Sequence, residues 1–204
     1  MESGILVSIG HTNASHAQIL EAVKAGARLS THLGNGMHSI IARHPNYLWS
    51  QLAAENLSAT IIADGFHLPA EVIQVFKKVK AEKLMIVSDS VALAGMPPGD
   101  YNAAVGGKVI LTSDGKLHLL GNANTFAGSA MNIFQGINFL LKNKLADLPE
   151  AWQMASKRPQ RLFDTSFEPI QIGQNADLIL AEQAPDQTLK ILKVLKNGVE
   201  IPLD

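Results

Sequence analysis

The 204-residue chain carries 17 Lys and Arg against 18 Asp and Glu, a formal net charge of −1, so it offers no basic field to nucleic acid and no like-charge tail. Apolar residues make up 47% and charged residues 17%, a globular composition with enough length to bury a sizeable core. Cysteine is absent, which excludes disulfides, thiolate metal sites and Cys nucleophiles; any metal must rest on His, Asp or Glu.

The N-terminal MESGILVSIG has no basic segment ahead of a long apolar one, and no apolar run approaches the roughly 18 residues of a spanning helix. A cytoplasmic protein without a membrane partner is expected. ILVSIG (5–10) reads as a buried strand, short and continuously apolar. ASHAQILEAVKAGA (14–27) follows as a helix. Ile19, Leu20, Val23 and Ala27 form its apolar side, and Asn13, Ala14 and Ser15 offer an N-cap. RLST (28–31) is the next strand, HLGNGMHS a glycine-containing loop, and a helix is expected over about 47–56. The unit repeats with ATIIAD (59–64) as strand, PAEVIQVFKKVKA (69–81) as a helix with Pro69 in its first turn, and KLMIVSD (83–89) as strand. Strands alternating with helices predict a parallel α/β sheet.

After Asp89 the rhythm changes. Residues 91–101 read as a loop and 108–120 as a hairpin around Asp114–Gly115. Helices are expected at 129–143 and 149–157, and 175–201 reads as strands of a separate β layer.

Four residues with useful chemistry end successive predicted strands: His11, His32, His67 and Asp89. Singly, each has an ordinary explanation, a hydrogen-bonded structural histidine or a helix-capping aspartate. Together, at one end of a parallel sheet, they converge on one mouth, where α/β folds place their sites. Neutral imidazoles bind zinc, zinc lowers the pKa of water to about 7, and a neighbouring carboxylate can move the proton. That combination is metal-assisted amide hydrolysis.

The segments GHTNAS, THLGNGM, IIADGFHL, VSDSVALAG, NTFAGSAMN and GQNADLIL, in this order, resemble N-acetylglucosamine-6-phosphate deacetylases of the amidohydrolase superfamily. The resemblance implies the C-terminal half of a (β/α)8 TIM-like metal-dependent hydrolase barrel (residues 1–165) plus C-terminal strands of a small β domain (166–204). It implies hydrolysis of N-acetyl-D-glucosamine 6-phosphate to D-glucosamine 6-phosphate and acetate, with a divalent metal, Zn2+, on His11 and His32. Asp89 then matches the general acid/base and His67 a sugar contact. Asn35, Gly36 and Arg43 match the phosphate set, Arg43 acting across a homodimer interface. Phe126, Ala127 and Gly128 match a loop that closes over the substrate. Gly36 stands where the family's pattern has Ala. His16, His38, His44 and His118 match no functional position, and Trp49 and Trp152 read as core or interface aromatics.

The resemblance also implies a third metal ligand, a Glu upstream of His11. Only ten residues precede that histidine, and Glu2, at the frayed start of a strand, is a poor candidate. A complete barrel needs about 250 residues. A half barrel exposes strand edges and apolar surface that favour pairing with another chain, either a second copy or an N-terminal half. Two other readings follow: an inactive fragment serving as an interaction module, and another deacetylase of the same superfamily.

Overall fold

The computed structural model describes residues 4–104, 106–163 and 170–203. Four short parallel strands form one sheet in the order in which the chain makes them: β1 (Ser8–Ile9), β2 (Leu29–Ser30), β3 (Ser58–Ile62) and β4 (Leu84–Val87). Their register pairs Ser8 with Leu29, Leu29 with Ser58, and Ala59 with Leu84. The crossovers are α1 (His16–Ala25), α2 (Tyr47–Ala53) and α3 (Ala70–Lys80). Consecutive neighbours without reversal are the order of a barrel wall rather than of a doubly wound sheet.

Local chemistry sets the helix ends. Ser15 Oγ accepts the Gln18 N–H while the Gln18 side chain accepts the Ser15 N–H, a reciprocal cap, and Gly26 at φ 118 closes α1. Ile19 and Ala27 enter the interior as expected. Leu20, one residue and about 100° round the helix from Ile19, is instead 47% exposed. Pro69 stands just outside α3 as its cap, not in the first turn. Lys80, at the far end of α3, is buried and donates to the carbonyls of Gln51, Ala54 and Leu57 at 2.6, 2.9 and 2.9 Å. It thereby satisfies acceptors that α2 leaves open at its C-terminus. Burial, with a smaller contribution from Lys83, pulls its pKa down to about 8.

The core lies between β3 and β4 and the helices packed on them. Ile61, Ile73, Leu84, Leu140 and Met154 are fully enclosed there. The last two come from α4 (Ile133–Lys142) and α5 (Leu148–Ala155), which is followed by α6 (Lys157–Phe163). Arg158 of α6 is buried and donates to Ala81 O and Leu84 O, pinning this helix to the start of β4.

Between β4 and α4 the expected hairpin exists, but it is the centre of a four-stranded antiparallel sheet. Its strands are β5 (Gly99–Ala103), β6 (Gly107–Leu111), β7 (Leu117–Leu119) and β8 (Asn122–Phe126). The loop expected over 91–101 therefore ends at Gly99. Val109, Leu111, Leu117 and Ala127 make this sheet's own small core.

A third sheet, in the order β11 (Val199–Ile201), β10 (Leu189–Lys196), β9 (Leu178–Gln183), is antiparallel, the separate β layer expected. Leu189 is buried, and the Asn138 amide both donates to Leu189 O and accepts from Leu189 N, docking the sheet on α4. The domain boundary expected at 165/166 lies outside the described residues. The anticipated apolar exposure is present: Ile5 (64%) and Val7 (49%) precede and flank edge strand β1, and Leu178, Ile179, Leu180, Val199 and Ile201 are open on the third sheet. No helix among the described residues is long and apolar enough to cross a membrane.

Candidate active site

Each parallel strand delivers a polar residue two positions past its last residue. Strands ending at 9, 30, 62 and 87 are followed by His11, His32, Asp64 and Asp89. Three of these four have left-handed backbones, φ 43 at His11, 31 at His32 and 51 at Asp89. In the third strand Gly65, at φ 84, takes that conformation instead, and His67 lies further along the turn. L-residues other than Gly, Asn and Asp rarely adopt it, at a cost of about 1–2 kcal/mol each. The strain therefore falls on the two histidines, while aspartate tolerates the conformation at position 89.

Contacts gather the residues singled out above into two groups. In the first, His11 Nε2 and His32 Nε2 face each other at 3.0 Å, the rings edge to face with centroids 4.7 Å apart. His32 is held firmly: its N–H donates to Thr60 Oγ1, and its carbonyl accepts from Asn35 N. Its Nδ1 is buried without a partner among the described residues, as is Asn35 Nδ2. Two imidazoles with Nε2 atoms converging are the donor pair that a divalent cation of the zinc type takes. Among the described residues, no group of three or more His, Cys, Asp and Glu gathers to hold an ion, and Glu2 lies outside them.

Gly36 completes this group. It sits at φ 64, and a Cβ there would come 2.6 Å from the His11 ring, so the imidazole fills the space that an alanine would need. Gly36→Ala is expected to push the His11 ring out of line with His32 and to weaken roughly tenfold or more any binding of a divalent cation by this pair, zinc serving as the probe. Calorimetric titration of zinc measures it; unchanged binding would show that the ring has room to swing aside.

In the second group, His67 Nδ1 meets Asp64 Oδ2 at 2.7 Å, with side chains 8% and 5% exposed. Burial works against the Asp64 charge. The hydrogen bonds from His67 and Phe66 and the charge of the imidazole outweigh it and hold this carboxyl below its usual range. The His67 ring packs on Phe126 at 4.6 Å between centroids. Ala127 is buried in the core of the second sheet, and Phe126 is the last residue of β8. The segment expected to close over a substrate is thus anchored on a sheet rather than hung on a free loop. Gly128, at φ 83, is against Val91, and Ser129 N donates to the Asp89 carbonyl.

Arg43 is exposed, its carbonyl accepting from the Asn46 side chain, and it makes no ion pair among the described residues. His38 hydrogen-bonds Tyr47 and His16 meets Ser50, both histidines being exposed, while the buried His118 meets the Leu119 carbonyl. Trp152 packs against the core, whereas Trp49 is 49% exposed.

The amidohydrolase family's sequence pattern matches residues 1–201. The chain belongs to the amidohydrolase family. It is 29% identical to an N-acetylglucosamine-6-phosphate deacetylase of Lysinibacillus sphaericus, over 97% of this chain and 49% of that one. It is 31% identical to the Haemophilus influenzae protein of the same name, over 87% of this chain and 47% of that one. The crystal structure of the Pasteurella multocida N-acetylglucosamine-6-phosphate deacetylase superposes with a TM-score of 0.82 at 28% identity, over 98% of this chain and 51% of that one. This amidohydrolase chain thus spans about half the length of the curated relatives it matches.

Two residues join the His67 cluster by their contacts and have little to mark them in the sequence. Asp64 reads in sequence as the end of a strand, yet its place two residues past β3 repeats the spacing of His11, His32 and Asp89. Ser129, 2% exposed, donates from Oγ to Asp64 Oδ2 at 3.1 Å and carries no sequence signal of its own beyond its place after TFAG.

Proposed function

We propose that this chain carries part of an active site that hydrolyses N-acetyl-D-glucosamine 6-phosphate to D-glucosamine 6-phosphate and acetate. The observation that carries the reading is the pair of Nε2 atoms at 3.0 Å, on neighbouring strands of a sheet that also presents Asp89. His11 and His32 would hold a divalent cation, zinc being the ion best suited to imidazole donors; bound there, it supplies Lewis acidity toward a carbonyl and an acidified water. A carboxylate ligand to complete the set is not found among the described residues.

This chain's own residues then divide the work. The Asp89 carboxylate takes a proton from the attacking water and returns it to the departing amine nitrogen. His67 and Phe126 contact the sugar. Backbone N–H groups at Asn35 and Gly36, with the Arg43 guanidinium, hold the phosphate and so orient the acetamido group for attack.

Acetate release from N-acetylglucosamine 6-phosphate, with zinc added, tests the reading, first on the chain alone and then on the chain mixed with an N-terminal half of a relative. Hydrolysis in either arm supports it, and silence in both, from folded protein, rejects it. Where hydrolysis is found, Arg43→Ala is expected to raise KM for the phosphorylated sugar at least about tenfold, while N-acetylglucosamine itself is little affected. Equal effects on the two sugars would remove the case for phosphate recognition. A second reading, an interaction module without activity, draws on the apolar side chains exposed on β9 and β11, and the same assay separates the two.

A further inference from the structure

Asp64 uses both of its oxygens. Oδ1 accepts the backbone N–H groups of Phe66 and His67, each at 2.9 Å, while Oδ2 faces His67 Nδ1 at 2.7 Å and Ser129 Oγ at 3.1 Å. An ionised carboxylate only accepts, so His67 carries a hydrogen on Nδ1. Ser129 Oγ already accepts the Met131 N–H at 3.1 Å, and its own hydrogen is therefore the one directed at Asp64. Nε2 is left as the His67 atom available to a ligand. The other side of the imidazole packs on Phe126, three residues before Ser129 in the chain.

We infer that Asp64 is a positioning residue. It fixes the Nδ1–H form of His67 so that Nε2 meets the ligand, and through the Ser129 hydroxyl it ties that imidazole to the Phe126–Gly128 segment. Histidine and segment then meet the sugar as one unit, with the ordering cost met before binding rather than during it. The inference deepens the proposed deacetylase site and rests on that reading for the identity of the ligand. It does not rest on it for the tautomer.

Asp64→Asn separates the two. Asn keeps an oxygen where Oδ1 accepts the two backbone N–H groups, so the turn survives. It places an NH2 donor opposite His67 Nδ1, which must then become an acceptor and move its hydrogen to Nε2. The 15N spectrum of the histidine rings of the full chain, recorded in alkaline solution, reads this directly. The expected result is Nδ1 of the pyrrole type and Nε2 of the pyridine type in the unaltered chain, with the two signals exchanging places in Asp64→Asn. His67 found as the Nε2–H form in the unaltered chain, or unchanged by the substitution, overturns the inference. Should Asp64→Asn not fold, Ser129→Ala takes its place: it should leave the tautomer intact and speed amide hydrogen exchange at Ala127 and Gly128. Unaltered exchange there would overturn the link between histidine and segment.

Titration with N-acetyl-D-glucosamine 6-phosphate then addresses the ligand. Movement of the His67 Nε2 signal in the unaltered chain, with affinity lowered about tenfold in Asp64→Asn, supports both levels. The expected tautomer with no response to the sugar phosphate upholds the role of Asp64 and rejects the substrate.

Discussion

Replacing Phe76 by alanine is expected to cost about 3–5 kcal/mol of stability, read as a fall in the urea midpoint at unchanged slope. The ring is 3% exposed and lies in the main core with Leu33, Leu68 and Ile73. It also supports the loop that carries Asn35 and Gly36, the proposed phosphate contacts. A Cβ on Gly34, which sits at φ 90, would come 3.1 Å from Phe76 Cε2 and 3.2 Å from Leu68 Cδ2, so loop backbone and core ring are in direct contact. Removing the ring takes away core volume and the floor beneath Asn35 and Gly36 together. A loss below about 1 kcal/mol would mean that the neighbours collapse into the space, and that the loop is held by its hydrogen bonds alone.

Where the proposed deacetylation is found, Asp89→Asn is expected to lower kcat for acetate release by about 10²–10⁴, the usual contribution of a positioned general acid/base, with KM and any binding of added zinc little changed. Asparagine suits this test because it shares aspartate's tolerance of the left-handed conformation, and Asp89 stands at φ 51. The Ser129 N–H that bonds the residue-89 carbonyl is untouched, since it uses only the backbone. A drop in rate without a drop in stability therefore reports the lost proton acceptor. Full activity in Asp89→Asn would move the acid/base role to another group.

The parallel sheet was readable in the sequence from short apolar runs between amphipathic stretches: ATIIAD and KLMIVSD hold largely buried strands, whereas in ILVSIG only Ser8–Ile9 is strand and Ile5 and Val7 are exposed rather than buried as expected. The second sheet was half readable. KVILTSDGKLHLL announces a hairpin by its Asp-Gly turn, and Gly115 at φ 88 forms that turn. Its outer strands, GDYNA and NANTF, are mostly Gly, Asn, Asp and Ala, residues with little intrinsic preference for extended structure, and only Tyr101, Thr125 and Phe126 favour it. They are strands because β6 and β7 offer them a ladder, which is a tertiary cause. Helix α6 was hidden by Pro159, which reads as a breaker yet is harmless in a first turn, where the missing N–H has no partner to lose.

The site shows the same division. His11, His32 and Asp89 stood out by residue type and by their place at the ends of expected strands. His67 stood out too, and the structure adds that it reaches its position through Asp64. No count along the chain reveals a bond from Ser129 to a carboxylate 65 residues earlier. Nor does the sequence show that Gly36 is small for the sake of the His11 ring, because that contact exists only once two strand ends lie side by side.

The left-handed backbones at His11, His32 and Asp89 set two kinds of selection against each other. Glycine would adopt φ values of 43, 31 and 51 without the steric penalty that a side chain incurs. A population of variants screened for heat tolerance alone should therefore accumulate glycine at positions 11, 32 and 89, becoming hardier as it loses the two proposed metal ligands and the proposed acid/base while Asp64 and His67 stay. A population screened for turnover should keep the imidazoles and the carboxylate and accept the lower melting temperature. The balance between those two outcomes, scored at just three codons, would say what the fold is being kept for.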